Sequence, residues 1–289
     1  MKTPKSALLS IICTFLLFAC SLNDDNNIPN TNTLNPTQYY QELDVAYGND
    51  AKQTFDIYLP ADRENTTKVM ILVHGGGWSG GDKSEMNLFK NFVRQEHPNV
   101  AIVNMNYRLA DDNNNPYPMQ INDITSVINH LKENSEHYTI GDDFGFIGVS
   151  AGGHLSLLWS YAFDTDNDVK MVCSVVGPTN FTDPAYLNNN DAHLQELLDL
   201  FGVEPTTAFL EEVSPLHRVT ASAPPTILFY GGQDPLIPTT QGTALRDELS
   251  DLGVTHEFTL YPDAGHGWVG TDLLDTVLKL KAFTQTYLE

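Results

Sequence analysis

Ser150 stands in Gly148-Val149-Ser150-Ala151-Gly152, a serine with a glycine two residues away on each side. The run Phe144 to Val149 before it reads as a buried strand, and Ala151 to Phe163 after it reads as a helix. A tight strand-to-helix turn of this kind is what an exposed nucleophilic serine needs. The residue at its tip holds strained dihedrals, and side chains at the flanking positions would strike neighbouring backbone, so glycine is required there. Ser150 Oγ is thereby expected at a helix N-terminus, whose free N–H groups and positive dipole end favour a developing negative charge. The chemistry this suits is attack of a hydroxyl on a carbonyl carbon.

A second glycine cluster, His74-Gly75-Gly76-Gly77-Trp78, closes the apolar run that starts at Val69. With it the chain resembles the esterase group of α/β hydrolases that includes hormone-sensitive-lipase-like enzymes and carbohydrate-associated acetyl and feruloyl esterases. The resemblance extends to Asn106-Tyr107-Arg108-Leu109, Tyr117-Pro118 with Asp123 downstream, and Ser150-Ala151-Gly152-Gly153-His154-Leu155. It also takes in Gly231-Gly232-Gln233-Asp234 and Gly265-His266-Gly267, and so covers most of Gln53 to Leu288. It implies that the backbone N–H of Gly76 or Gly77, with that of Ala151, forms an oxyanion hole, where a side chain would keep the backbone away from the substrate oxygen. The stretch Asp111 to Asn115 departs from the pattern by widening the loop after Leu109.

Such a fold delivers its catalytic residues in the order serine, acid, histidine. Of nine histidines, His74 sits in the glycine loop, His154 lies one turn past Ser150, and His97, His130 and His137 precede the serine. His193 and His217 fall in a poorly patterned stretch, and His256 falls inside an expected strand. His266 alone lies in a glycine-rich loop after the last strand, where it can reach over the sheet edge as general base. For the acid, Asp234 follows Ile227-Leu228-Phe229-Tyr230 through two glycines and precedes Pro235, so its carboxylate should emerge at that same edge. The rival Asp263, in the turn Tyr261-Pro262-Asp263, suits a solvated turn carboxylate better. The loop aromatics Trp78, Tyr107, Tyr186 and Trp268 are candidates to touch substrate or simply to pack. There is no Cys/His cluster at zinc spacing and no phosphate-loop lysine, so no metal or cofactor is expected.

The elements that must position these residues can be read from periodicity. Strands are expected at about Glu42–Tyr47, Thr54–Leu59, Val69–His74, Val100–Asn106, Phe144–Val149, Lys170–Val176, Thr226–Tyr230 and Thr255–Tyr261. The first two alternate like a hairpin, whereas Met70-Ile71-Leu72-Val73 is continuously apolar, as strands buried on both faces are. Helical patterns over Ser84–His97, Met119–Glu136, Ala151–Phe163, Thr239–Leu252 and Gly270–Leu288 alternate with the later strands. An α/β fold with a mostly parallel eight-stranded sheet and helices on both faces follows. From about 178 to 215 the pattern weakens into an Asn-rich insertion with one Leu-rich helix, placed where substrate walls sit in such sheets.

The net charge of -22, from 15 Lys+Arg against 37 Asp+Glu, disfavours nucleic acid and anionic lipid surfaces as partners. Residues 1–19 carry Lys2 and Lys5 before an apolar stretch too short to span a bilayer, and read as an export signal. They end on Leu17-Phe18-Ala19-Cys20, which resembles a bacterial lipobox, so Cys20 is expected to be lipidated and to hold the exported protein at a membrane. Residues 20–37, rich in Asn, Asp, Thr and Pro, read as a flexible spacer, and 38–289 as the catalytic domain. Cys173, in Val172-Cys173-Ser174-Val175, is expected to be a buried inert thiol.

These readings converge on a serine hydrolase acting on short-chain acyl esters of carbohydrates or other polar alcohols. An exopeptidase of the same fold would use the same apparatus but commonly brings a propeller domain. A non-catalytic binding lipoprotein would commonly have lost the serine or the histidine, and both are present here.

Overall fold

The computed structural model describes residues 33–188, 190–202 and 205–289. The expected signal segment 1–19, Cys20 and the spacer up to residue 32 lie outside the described residues. The described residues form one compact unit, Thr33–Glu289. The Leu34 N–H donates to the His137 carbonyl at 3.0 Å, and the Arg63 guanidinium donates to the Gln38 carbonyl at 2.8 Å. Leu34 packs against the core.

Among the described residues eight strands form one sheet: β1 (Tyr40–Ala46), β2 (Thr54–Leu59), β3 (Val69–Val73), β4 (Ala101–Met105), β5 (Phe144–Val149), β6 (Val169–Val175), β7 (Thr226–Gly231) and β8 (His256–Tyr261). Their order is β1-β2-β4-β3-β5-β6-β7-β8. The pairs β1/β2 and β2/β4 are antiparallel and the others parallel. This is the expected mostly parallel sheet. The strand ends differ most at β1, a largely exposed edge whose register shifts between Glu42 and Val45, so its side chains carry little of the alternation that marks a half-buried strand.

The helices are α1 (Asn87–Glu96), α2 (Pro116–Glu133), α3 (Ser135–Tyr138), α4 (Ala151–Ala162), α5 (Pro184–Leu187), α6 (Ala192–Asp199), α7 (Thr207–Glu212), α8 (Pro215–Arg218), α9 (Thr239–Asp251) and α10 (Thr271–Tyr287). Before α1 the Asp82 carboxylate accepts from Ser84 N–H and starts a separate 3-10 turn over Lys83–Met86, so the expected Ser84–His97 helix is two elements. In α2, Tyr117 is extended, and regular helix begins just after it, near the expected Met119.

Alternation along the central strands builds two cores. Val69, Ile71 and Val73 face a cluster with Ile121, Leu155 and Leu245 from α2, α4 and α9. Met70 and Leu72 face the other side, against Phe89 and Phe92 of α1 and Leu280 and Phe283 of α10. Successive strand residues point to opposite faces, so a strand covered by helices on both sides must be apolar throughout, as β3 is.

The expected insertion is α5 to α7 with their connections. Its root is fixed by Gln241 of α9, whose Oε1 accepts from the N–H groups of Thr179 and Asn180 at 2.8 Å each. Its sequence is polar, but Phe181, Tyr186, Leu194 and Phe201 are buried on its inner side. The side of the insertion that faces the core is therefore apolar, while Asn188 and Asn190 are exposed. Among the described residues no helix is long and apolar enough to cross a membrane, and no group of three or more His, Cys, Asp or Glu could hold a metal ion. Cys173 is buried, and burial pushes its thiol well above the usual range.

Candidate active site

Ser150 occupies the turn between β5 and α4 with φ 53° and ψ -121°, a left-handed, strained conformation. Its N–H donates to the Val175 carbonyl at 2.8 Å, which ties the turn to β6. The flanking glycines are steric necessities. A β-carbon on Gly148 would lie 2.2 Å from the Gly152 carbonyl oxygen, and one on Gly152 would lie 2.1 Å from that of Val73.

His266 reaches the serine from the loop after β8, its Nε2 lying 3.0 Å from Ser150 Oγ. Its Nδ1 lies 2.7 Å from Asp234 Oδ2. The Asp234 side chain is 1% exposed, and its Oδ1 accepts from the N–H groups of Leu236 (2.9 Å) and Ile237 (3.0 Å). These bonds hold the buried carboxylate pointing at the imidazole. The two loops are stitched by Gln233 N–H donating to the Ala264 carbonyl at 2.8 Å. Asp263 is exposed, in keeping with a turn carboxylate.

The glycine loop runs past the serine. Gly76 and Gly77 have φ of 107° and 56°. Among the described residues none accepts a backbone hydrogen bond from the N–H of Gly76, Gly77 or Ala151; Gly76 and Gly77 line the cavity, and Ala151 follows Ser150 at the start of α4. Tyr107 Oη donates to the His74 carbonyl (2.9 Å) and the Gly75 carbonyl (3.2 Å), bracing the loop from beneath. The His74 ring stacks on Tyr107 with 4.2 Å between centroids, and burial lowers its pKa to about 4. Arg108, the next residue, makes an ion pair with the fully buried Asp123. Asp123 also accepts from Arg108 N–H at 2.8 Å, which fixes the strand end carrying Tyr107.

A cavity of about 420 Å³ opens beside Ser150 and His266, within the usual range for small-molecule sites. Gly75, Gly76 and Gly77 form one side, and Met86, Phe89, Leu194, Leu197, Leu236 and Ile237 make most of the rest. Glu85 and His193 are charged or polar groups on the lining, and both are exposed. Of the four candidate aromatics, Trp78 and Tyr186 line the cavity. Tyr107 and Trp268 do not. Tyr107 is fully buried under the glycine loop, and the Trp268 Nε1–H donates to Thr276 Oγ1 at 2.8 Å while its ring packs on Tyr261. Sequence reasoning missed Met86, Phe89, Leu194 and Leu197, whose apolar character fits any core helix and whose facing is set only by the assembled fold.

A family model matches residues 55–249, two thirds of the chain and the span that holds the serine turn, the glycine loop and Asp234. The chain belongs to the BD-FAE family. Among curated relatives, esterase LipC of Mycobacterium tuberculosis is 28% identical over 86% of this chain and 64% of its own length. This chain thus spans less than two thirds of that relative. Carboxylesterase NlhH of Mycobacterium tuberculosis is 25% identical over 83% of this chain and 78% of its own. Among solved structures, carboxyl esterase 2 of Tuber melanosporum superposes with a TM-score of 0.70 at 22% identity, covering 89% of this chain and 90% of that one. A truncated carbohydrate esterase from gut microbiota gives 0.69 at 21%, covering 86% and 99%. At that level of identity the likeness establishes the fold, and the fold is that of α/β-hydrolase esterases.

Proposed function

We propose that the protein is a serine esterase in which Ser150 is the nucleophile, His266 the general base and Asp234 the residue that orients it. The observation that carries this reading is the unbroken chain Ser150 Oγ, His266, Asp234 at 3.0 and 2.7 Å. His266 Nε2 takes the Ser150 proton as Oγ adds to the ester carbonyl carbon. The carbonyl oxygen becomes an oxyanion, held by the N–H of Gly76 or Gly77 and by that of Ala151. Imidazolium then protonates the departing alcohol oxygen as the C–O bond breaks, leaving an acyl-serine. Water, deprotonated by His266, adds to the acyl carbon, and the carboxylate leaves as Ser150 regains its proton. Asp234 orients the imidazole and stabilises the imidazolium.

The preferred substrates are short-chain acyl esters of a carbohydrate or another polar alcohol. The cavity of about 420 Å³ must take the acyl group together with part of the alcohol, and Glu85 and His193 on its lining suit a hydroxyl-rich alcohol. Each added acyl methylene can contribute about 0.8 kcal/mol only while the pocket buries it. A chain-length series of nitrophenyl esters from acetate to palmitate should therefore show kcat/KM falling beyond roughly four carbons. A rise toward long chains, with activation at an emulsion interface, would make the protein a lipase instead.

The lipobox-like Leu17-Phe18-Ala19-Cys20 supports export and anchoring through a lipidated Cys20. Detergent-phase partitioning of the full chain should be lost on Cys20→Ser, and equal partitioning of both forms would leave plain secretion.

A further inference from the structure

Trp78 follows the oxyanion glycines directly and has a left-handed φ of 61°. Its indole is 2% exposed, and its Nε1–H donates to His154 Nδ1 at 3.1 Å. His154, 1% exposed, lies one turn along α4 from Ser150, to whose carbonyl its own N–H donates at 3.1 Å. On its other side His154 Nε2 lies 2.8 Å from the Val213 carbonyl, at the end of α7. An indole N–H can only donate and a carbonyl can only accept. The ring is therefore the neutral tautomer with its proton on Nε2, and both its nitrogens are satisfied.

We infer that His154 is a positioning residue that sets the oxyanion loop against the nucleophile helix and the insertion through Trp78 Nε1 and the Val213 carbonyl. This rests on the Ser150 reading above. Three elements meet at one imidazole: the loop that holds the oxyanion, the helix that starts at the nucleophile, and the segment that supplies Leu194 and Leu197 to the cavity. The surroundings make the link stiff. Phe181 and Phe201 pack on both rings, with centroids 5.8 and 4.9 Å from Trp78 and 5.0 and 6.1 Å from His154. In such a dry box a hydrogen bond is strengthened, and an orphaned partner is costly. The Trp78 carbonyl is held independently, accepting from Gln120 Nε2 at 2.6 Å and from Ala110 N–H at 2.9 Å. Trp78 is thus gripped at both ends, and the glycines before it can vary little in position. A phenylalanine at 154 would fill much the same space but lose both bonds. Glutamine can restore them, accepting from Trp78 through its carbonyl and donating to Val213 through its amide.

The test compares His154→Phe, His154→Gln, Trp78→Phe and the double variant Trp78→Phe/His154→Phe in the full chain, on nitrophenyl acetate. It records kcat, KM, the melting temperature and the affinity for a trifluoromethyl ketone, which forms the tetrahedral adduct. His154→Phe should lower kcat by about 100-fold, as loss of one oxyanion donor does, with KM within about threefold and ketone affinity falling in parallel with kcat. His154→Gln should recover most of the loss. Because both single variants cut the same bond, the double variant should fall no further than the worse of them. Additive losses, a glutamine no better than phenylalanine at equal melting temperature, or a kcat left unchanged would overturn the inference. If His154→Phe fails to fold, Trp78→Phe alone decides by its ketone affinity: loss supports the link and wild-type affinity rejects it. A wild-type protein inert toward the ketone would instead defeat the Ser150 reading.

Discussion

Leu197 of α6 occupies the place where a side chain on Gly77 would begin: a β-carbon at Gly77 would lie 2.6 Å from Leu197 Cδ2. The insertion is therefore seated on the glycine loop itself, and the space at Gly77 is closed from above. Together with φ of 56°, this strains any side chain placed at Gly77, because Leu197 would have to move aside for it.

Gly77→Ala is expected to reduce kcat on nitrophenyl acetate by at least about 100-fold, the scale of a lost oxyanion donor. The left-handed backbone costs alanine about 1 kcal/mol, and Leu197 must retreat besides. The domain should still fold, since the loop is at the surface of the core, with a melting temperature lower by several degrees. Pairing the change with Leu197→Ala should recover part of the melting temperature. A Gly77→Ala protein with kcat within twofold of wild type would show that this loop does not hold the oxyanion.

The buried histidines predict how stability depends on pH. Burial depresses His74 and His154 from an ordinary 6.5 to about 4 in the folded protein. The unfolded chain thus takes up protons at higher pH than the folded one does. Their contribution is fully present above pH 6.5 and is lost as pH falls toward 4, at a cost on the order of 3 kcal/mol for each group. Melting temperature measured from pH 7.5 to 4 should fall through this window, and His154→Gln, which cannot titrate, should flatten the decline relative to its own value at pH 7.5. An unchanged slope in that variant would mean that His154 is not buried neutral.

Much of this arrangement was legible because its physics is local. Gly148 and Gly152 announce the serine turn, since the backbone contacts that forbid a side chain arise within the strand-turn-helix unit and β3 beside it. Val69 to Val73 announce a strand covered on both faces, because both faces must be apolar. Asp234 and His266 were placed by the fold's chain order and their loop settings, and 32 residues separate them. What was not legible depends on distant pieces meeting. The Trp78 to His154 bond joins residues 76 apart, and nothing in either neighbourhood marks it. Met86, Phe89, Leu194 and Leu197 read as ordinary core residues until α1 and α6 face one another across the cavity. Tyr107 and Trp268 read equally well as substrate contacts, and only packing shows one beneath the glycine loop and the other closed on Tyr261. Leu34 belongs to a polar stretch by composition, yet one apolar side chain and one backbone bond suffice to dock it.

The central claim is that Ser150 is an activated nucleophile, and covalent labelling of the purified protein with a fluorophosphonate tests it most directly. The phosphorus is attacked only by a serine whose proton a base can accept, so labelling reports Ser150 and His266 together. Wild type is expected to take up one label per chain, on the peptide containing Ser150, with loss of nitrophenyl acetate hydrolysis in proportion. Ser150→Ala, which removes one oxygen from a half-buried turn, should fold normally, stay unlabelled and lose about a millionfold in kcat. An unlabelled wild type, or a Ser150→Ala protein that hydrolyses the ester at a comparable rate, would contradict the account.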